Sequence, residues 1–336
     1  MATIEDVAKL AGLSRTTVSR VINKHPYVSS AKKDLVLQAM EELGYVPNSS
    51  ARSLRNQKTG VIAVFIPRVM NPFFSQLIET LEIAASLSHY QLLVCQTQYS
   101  AEKELTYLQL LKVKQVDGVI LASFENEWSK IEPFLEYGPI VLCNEFEKNA
   151  RVPMVLLDQA YGGYIAAKHL LENGHTAIAY CCGSYRSNVS KAREAGFRKA
   201  LAEYGVPFQE ELAFRNAFQV EDGKRVFQQL AAKAKKPTAI FTGSDEVAAG
   251  LIAEAKRNHW VVPDDLAVIG FDNQIITELI EPRITTVHQP VQDMAKKAMD
   301  IMVSQLASKH SVKQEVHKFQ LELVIRESTN KVLVNL

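Results

Sequence analysis

The chain has 336 residues, 47% of them apolar and 22% charged, and a net charge of +1. That is the make-up of a soluble globular protein of two or three units, with no global field pointing to nucleic acid or membrane. No uninterrupted apolar run of about 18 residues occurs, which argues against a membrane span, and the early acidic residues of "MATIEDVAKLAG" argue against a signal peptide. Cys95, Cys143, Cys181 and Cys182 form no C-x-x-C pair and lie mostly in apolar, strand-like runs, so a reduced, cytoplasmic protein is expected. The charge is unevenly spread: residues 1–60 carry nine basic and five acidic side chains, a balance of +4, and the remainder carries −3. A basic head on a slightly acidic body suggests that the head meets a polyanion.

In chain order, residues 1–45 show helical periodicity only. "TIED" offers Thr3 as a helix cap with Asp6 three residues on, a capping-box arrangement, and Val7, Ala8, Leu10 and Ala11 follow at helical spacing. Gly12 stops this helix with the positive φ it tolerates, and Ser14 caps a second helix from about Arg15 to Asn23, with Val18 and Val21 in the core. A third helix opens near Ser29, presents Leu35, Ala39, Met40 and Leu43 on one side, and is broken by Pro47 and Asn48. Three short helices with a glycine turn between the first two describe a helix-turn-helix domain. "SSARSLRNQK" is too short to be stable alone and would order only with a partner.

From residue 61 the pattern alternates. Strand-like runs "VIAVFIP", "QLLVCQT", "DGVILAS", "PIVLCN", "MVLLD", "AIAYCCG", "TAIFTG" and "LAVIGFDN" are separated by amphipathic helices such as "SQLIETLEIAASLSHY" and "YIAAKHLLENGH". Near-continuous apolar strands linked by helices imply parallel sheets covered on both faces. There are about twice as many units as one open sheet needs, so two similar lobes face each other, with a small molecule bound beyond the strand ends. The "GGYIAAK" glycines are expected to give a helix a flexible start.

"TIEDVAKLAGLSRTTVSRVIN" and "VSSAKKDLVLQAMEELGYVPNSSARSLRNQKTGVIAVFIP" resemble the LacI/GalR family of bacterial transcription regulators, and "VDGVI", "GHTAIAY", "PTAIFTGSDEVAAG", "LAVIGFDN" and "TTVHQP" extend the resemblance over essentially the whole chain. It implies an all-α helix-turn-helix head plus an α/β core of two doubly wound parallel-sheet lobes, periplasmic-binding-protein-like. The organisation expected is a DNA-binding domain over 1–46, a hinge helix or linker over 47–59, and a ligand-binding and dimerisation core over 60–336. Within that core the N-lobe takes about 60–158 and 290–319, and the C-lobe about 159–289 and 320–336.

The resemblance implies roles for single residues. Arg15 and Thr16 stand where the family reads bases in the major groove; arginine there can fork onto guanine O6 and N7, and Thr16 can meet a thymine methyl. Arg20, one turn on, matches a base- or phosphate-contacting arginine. Ser14, Thr17, Ser19 and Asn23 set the helix on phosphate oxygens, with Thr3 at the same surface. In "ARSLRNQ", Leu54 is the family's minor-groove wedge, Arg52 and Arg55 lie against the flanking backbone, and Asn48 and Ala51 line the approach. For the effector, Phe73 and Phe74 offer an aromatic wall, and Ser187, Arg193, Phe218, Asp245 and Asp272 stand at family ligand positions. Arg193 can fork onto a hydroxyl pair or carboxylate, and Asp272 beside it is expected to stay ionised.

The partners implied are a double-stranded, pseudo-palindromic DNA operator, a second copy in a homodimer, and a small-molecule effector, a sugar or sugar phosphate. A protein co-regulator is a further partner the family admits. "NKVLVNL" lacks a leucine heptad, so a dimer is expected instead of a tetramer. No cofactor and no metal are expected, since the eight histidines form no ligand spacing. An enzyme is disfavoured: neither a phosphate-binding glycine loop nor a G-x-S-x-G elbow is present. A pure solute-transport receptor lacks a use for the helical head. The function expected is a sequence-specific transcription regulator, most simply a repressor.

Overall fold

A computed structural model describes residues 2–23, 25–46, 58–184, 187–308 and 314–330. Two compact units divide at residues 59 and 60.

The first unit holds α1 (Ile4–Leu10), α2 (Arg15–Ile22) and α3 (Ser30–Glu42). At the head of α1, the Thr3 amide and hydroxyl donate to Asp6 Oδ2 at 2.8 and 2.7 Å, and the Asp6 amide donates back to Thr3 Oγ1 at 3.3 Å. These bonds also hold the Asp6 carboxyl below its ordinary pKa. At its tail the amides of Gly12 and Leu13 return to the carbonyls of Lys9 and Ala8, with Gly12 at φ +64. This paired closure is what makes the turn between α1 and α2 tight. Ser14 Oγ then accepts from the Thr17 amide at 3.2 Å, opening α2. Val7, Val18 and Val36 are fully buried at the centre, with Ala8, Ala11, Val21 and Ala39 around them.

Two expectations for this unit are corrected. In the third helix Val36 is buried where Leu35, 48% exposed, was expected; Ala39, Met40 and Leu43 lie on the packed side as expected, and Val36 is the residue at helical spacing with them. That helix also ends at Glu42, before Pro47 and Asn48; Gly44 at φ +56 ends it by the same paired closure, Gly44 onto Glu41 and Tyr45 onto Met40. The hinge residues Asn48, Ala51, Arg52, Leu54 and Arg55 lie outside the described residues.

The second unit contains two six-stranded sheets. The first is built from β1 (Val61–Ile66), β2 (Gln91–Gln96), β3 (Gly118–Leu121), β4 (Ile140–Cys143), β5 (Met154–Leu157) and β11 (Val316–Phe319), in the order β11-β5-β4-β3-β1-β2. The second uses β6 (Ile178–Cys181), β7 (Ala213–Phe214), β8 (Ala239–Phe241), β9 (Ala267–Asp272), β10 (Thr285–His288) and β12 (Glu322–Val324), in the order β12-β10-β9-β8-β6-β7. The two orders are the same pattern used twice. All pairings are parallel except β10 with β12, because the chain crosses between sheets from β11 to β12 and enters the second one reversed. It crosses at two further points, after β5 and after β10. The Lys318 ammonium meets the Asp158 carboxylate at 2.7 Å, joining two of the three crossings.

Helices α4 (Pro72–Leu87), α5 (Ala101–Lys112) and α12 (Val291–Ala307) pack on the first sheet; α7 (Gln159–Glu172), α8 (Asn188–Glu203), α9 (Val220–Ala231) and α10 (Asp245–Arg257) pack on the second, and single-turn helices α6 (Trp128–Ile131) and α11 (Ile276–Leu279) sit in connections. The "GGY" glycines are not a flexible start. Helix α7 begins at Gln159, so they are interior, and a Cβ on Gly163 would lie 2.1 Å from the Arg193 carbonyl oxygen. A Cβ on Gly196 would likewise lie 1.7 Å from the Ala160 carbonyl oxygen. Backbone-to-backbone contact between α7 and α8 excludes any larger residue and fixes Arg193 beside the start of α7.

Candidate functional site

Two surfaces carry the candidate residues. On the head, α2 buries Val18 and Val21 and leaves Arg15, Thr16 and Arg20 exposed together on the opposite side. Among the described residues Arg15 is held only by a 3.5 Å ion pair to Glu5 between side chains 68% and 65% exposed, a contact that competes weakly with any other anion. The remaining polar residues finish the helix ends: Ser14 Oγ and Thr17 Oγ1 are 2.9 Å apart, and the Asn23 amide donates to the Ser19 carbonyl and hydroxyl. Their hydroxyls stay at the surface while the caps stiffen the helix that presents the arginines.

In the second unit a cavity of about 450 Å³ opens beyond the C-terminal strand ends of both sheets. Phe73, Phe74, Ser187, Arg193, Phe218 and Asp272 all line it. Asn71 Oδ1 accepts from the Phe73 amide at 3.0 Å, capping α4, with Pro72 at its first position. Phe73 and Phe74 then meet edge to face, ring centres 5.1 Å apart. Ser187 caps α8. The Phe218 ring lies against Gly183, where a Cβ would stand 2.8 Å from it, and its centre is 6.3 Å from that of Tyr99 in the other lobe.

Arg193 is tied on three sides. Its Nε donates to Gln159 Oε1 at 2.6 Å, its Nη1 donates to the Gly243 carbonyl at 2.9 Å, and its guanidinium lies 3.5 Å over the centre of the Phe271 ring. Burial draws its pKa down, and the nearby Asp272 works against that. Asp272 ends β9 at φ +107 and Asn273 follows at φ +54, a strained turn that swings the carboxylate to the cavity. Its oxygens accept from the side-chain amides of Gln289 and, at 3.0 Å, Gln274. Burial raises the Asp272 pKa to about 7, further than Arg193, Gln289 and Gln274 lower it.

Asp245 corrects an expectation, since it does not line the cavity. It is fully buried; Oδ1 accepts from Thr286 Oγ1 at 2.6 Å and Oδ2 accepts from the Gln274 amide at 2.8 Å. Burial, then the neighbouring Asp272, raise its pKa well above the ordinary range. Asp245 therefore holds the turn that aims Asp272, and Gly270 leaves room for it, since a Cβ there would lie 2.1 Å from Asp245 Oδ1.

Sequence reasoning missed the residues that join these groups. Gln159, at the first crossing between lobes, accepts from Arg193 and donates to Asn144 Oδ1 at 3.3 Å and Gln289 Oε1 at 3.0 Å. Gln289, at the second crossing, donates on to Asp272. Also missed were Tyr99 and Glu145 in the first lobe's wall. The Glu145 carboxyl is pushed up to about 8 by burial, then by Glu125 and Glu104. Behind it, buried Glu104 accepts from the Glu125 amide at 2.8 Å and from Asn126 Nδ2 at 2.9 Å, shaping that loop. The polar strand-end position is the only signal these residues carried.

Among the described residues no group of three or more His, Cys, Asp or Glu side chains could hold a metal ion, and no helix is long and apolar enough to cross a membrane. An exposed arginine-bearing helix on one unit and a cavity lined by polar and aromatic side chains on the other define a ligand-responsive DNA-binding protein. Residues 3–48 match the bacterial regulatory proteins of the lacI family, and residues 167–329 match the periplasmic binding protein-like domain. The chain is 44% identical to the NTD biosynthesis operon regulator NtdR of Bacillus subtilis (strain 168) over 98% of its length and all of the relative's. It is 36% identical to the transcriptional repressor PurR of Vibrio parahaemolyticus over 99% of its length and all of the relative's. Among solved structures, a LacI family regulator from Lactobacillus casei with bound glucose matches at 31% identity and a TM-score of 0.73, over 80% of this chain and 99% of that one. The lac repressor dimer bound to operator shares the fold, with a TM-score of 0.86 at 23% identity over 98% of this chain and 99% of that one. The chain belongs to the lacI family of bacterial regulatory proteins. It is a DNA-binding transcription regulator controlled by an effector, not an enzyme.

Proposed function

We propose that the protein binds a pseudo-palindromic operator as a homodimer in the reduced cytoplasm and that a sugar-like effector in the 450 Å³ cavity changes its hold on DNA. Each subunit's α2 enters a major groove, where Arg15, Thr16 and Arg20 contact base edges and Thr3, Ser14, Thr17, Ser19 and Asn23 sit on the backbone. Residues 47–59 serve as the hinge, with Leu54 opening the central base step, Arg52 and Arg55 on the flanking phosphates, and Asn48 and Ala51 at the approach. The observation that carries this reading is the exposed, doubly capped α2 with its arginines outward and its valines inward.

In the core, Phe73, Phe74 and Phe218 supply apolar faces and Ser187, Arg193 and Asp272 supply polar contacts. Arg193 and Asp272 are bonded to Gln159 and Gln289 at the two crossings, so a ligand that draws on them biases the segments about which the lobes close. Closure and DNA binding are then coupled reciprocally.

The test is a selection from randomised pseudo-palindromic duplexes at low salt, followed by anisotropy on the recovered site. Wild-type protein retains a defined site, weakening steeply with salt as counterions return to phosphate. Arg15→Ala loses about 1–3 kcal/mol of discrimination at one base pair with unchanged thermal stability. Failure to retain any duplex sinks the reading.

A further inference from the structure

A continuous chain of side-chain hydrogen bonds joins the cavity to the segments that connect the lobes. Its ends, Arg193 and Asp272, line the cavity; its middle members, Gln159 and Gln289, are 5% and 1% exposed and do not. Gln159 opens α7 at the first crossing, and Gln289 follows β10 at the second. Asp158, one residue before Gln159, pairs with Lys318 at the third. All three crossings are thus tied to one another through side chains.

The chain has a direction. A guanidinium only donates, so the Gln159 oxygen must face Arg193 Nε, 2.6 Å away. The Gln159 amino group therefore points the other way, donating to Gln289 Oε1 at 3.0 Å and, across to the first lobe, to Asn144 Oδ1 at 3.3 Å. With its oxygen engaged, Gln289 turns its own amino group to Asp272 Oδ1, and Asp272 Oδ2 accepts from Gln274. Arg193 alone fixes how both buried amides lie. Neither glutamine can turn over without setting donor against donor on one side and acceptor against acceptor on the other, which is costly away from water. Such a chain is whole or broken, the behaviour of a two-state element.

We propose that Gln159 and Gln289 are positioning residues for the effector response: their one-way chain clamps the first two crossings, and with them the two lobes, in one relative setting, and the effector acts by competing for the chain's ends at Arg193 and Asp272. This rests on the effector-controlled reading above and names the bonds that carry it.

The direction can be tested by reversing it. Gln159→Glu still accepts from Arg193 but cannot donate to Gln289, which must then turn its amino group toward position 159 and its oxygen toward Asp272. The break moves to Asp272. Asp272→Asn mends it, because an amide there can donate to the turned Gln289 and accept from Gln274. Asp272→Asn alone keeps the chain, with Gln274 turning instead. The readout is the spacing of the lobes in the full-length protein. It is measured by electron–electron double resonance between spin labels at Gln109→Cys on α5 and Gln229→Cys on α9, both exposed positions. The four native cysteines are buried, and excess unlabelled subunits ensure that only pairs within one chain report. The pH is 8.5, above the Asp272 value of about 7, because a protonated carboxyl can itself donate to the turned Gln289.

The distance distribution of Gln159→Glu is expected to depart from that of the wild type, and those of Asp272→Asn and of the double variant to match it. A role in packing alone gives no such rescue. A wild-type distribution in Gln159→Glu, or a double variant no nearer to wild type than Gln159→Glu, overturns the proposal. Should Gln159→Glu not fold, Gln289→Met cuts the chain with an uncharged side chain of similar length; a departure there supports the proposal and an unchanged distribution overturns it. Operator affinity of the same proteins, by anisotropy on the selected site, should change about fivefold or more wherever the spacing changes. Constant affinity alongside a changed spacing leaves the chain standing and counts against the effector-controlled reading instead.

Discussion

The strand ends of the first lobe bring Phe73, Phe74, Tyr99 and Glu145 to the cavity, while those of the second bring Ser187, Arg193, Phe218 and Asp272. The two sheets repeat one strand order, so the difference lies in the loops and not in the scaffold. Duplicate frames with different loops allow one half to specialise in apolar and acidic surface and the other in a rigid polar fork. In the second lobe the charged groups are braced: Arg193 by Gln159 and Gly243, Asp272 by Gln274 and Gln289, and the turn beneath by Asp245. In the first lobe Glu145 has no such brace among the described residues. Preorganisation lies on the second side.

The strongest way to break this comparison is to remove the frame of the braced half. Gly196→Val places carbon where the Ala160 carbonyl stands, forcing α7 from α8; a loss of about 3 kcal/mol or more is expected in urea unfolding. Removing the fork itself comes next. Arg193→Ala strips a charge-assisted bond and leaves Gln159 and Asp272 short of a neighbour. Effector affinity by calorimetry should fall about 10- to 100-fold, with ligand-free operator affinity unchanged.

A subtler probe is Asp272→Asn. Burial raises the folded-state pKa of Asp272 above its ordinary value, so its stabilising contribution is complete below the carboxylate range and disappears as pH rises through the folded value. Melting temperature measured from pH 4 to 9 should decline less with rising pH in Asp272→Asn than in wild type; parallel curves would show Asp272 ionised throughout. Outside both lobes, Thr3→Ala should cost the head about 1 kcal/mol through its lost cap. The smallest effect belongs to Glu5→Ala, which breaks only an exposed ion pair to Arg15 and should shift the head's stability by less than about 0.5 kcal/mol.

The head was legible because its signals are local: Thr3 with Asp6, Gly12 and Ser14 act within four residues of themselves. The long core strands were legible through their unbroken apolar runs. Strand β7 has two residues, and the edge strands β11 and β12 are half exposed, so neither length nor apolarity marked them. Gly163 and Gly196 were unreadable because what they avoid, a carbonyl on another helix, is far away in sequence. Asp245 was misplaced for a related reason. Position at a strand end does not say whether a carboxylate faces the cavity or, as here, the underside of a neighbouring turn. Gln159 and Gln289 lie 130 residues apart and carry no motif.

The interleaved crossings have a consequence for synthesis on the ribosome. The first sheet is completed by Val316–Phe319 and the second by Glu322–Val324, so neither lobe has its final edge until residues 316–324 have emerged. The head, by contrast, is complete in sequence within its first fifty residues. Nascent chains should therefore carry a formed head long before they carry a formed sensor, and both lobes should mature together, once those two strands are available.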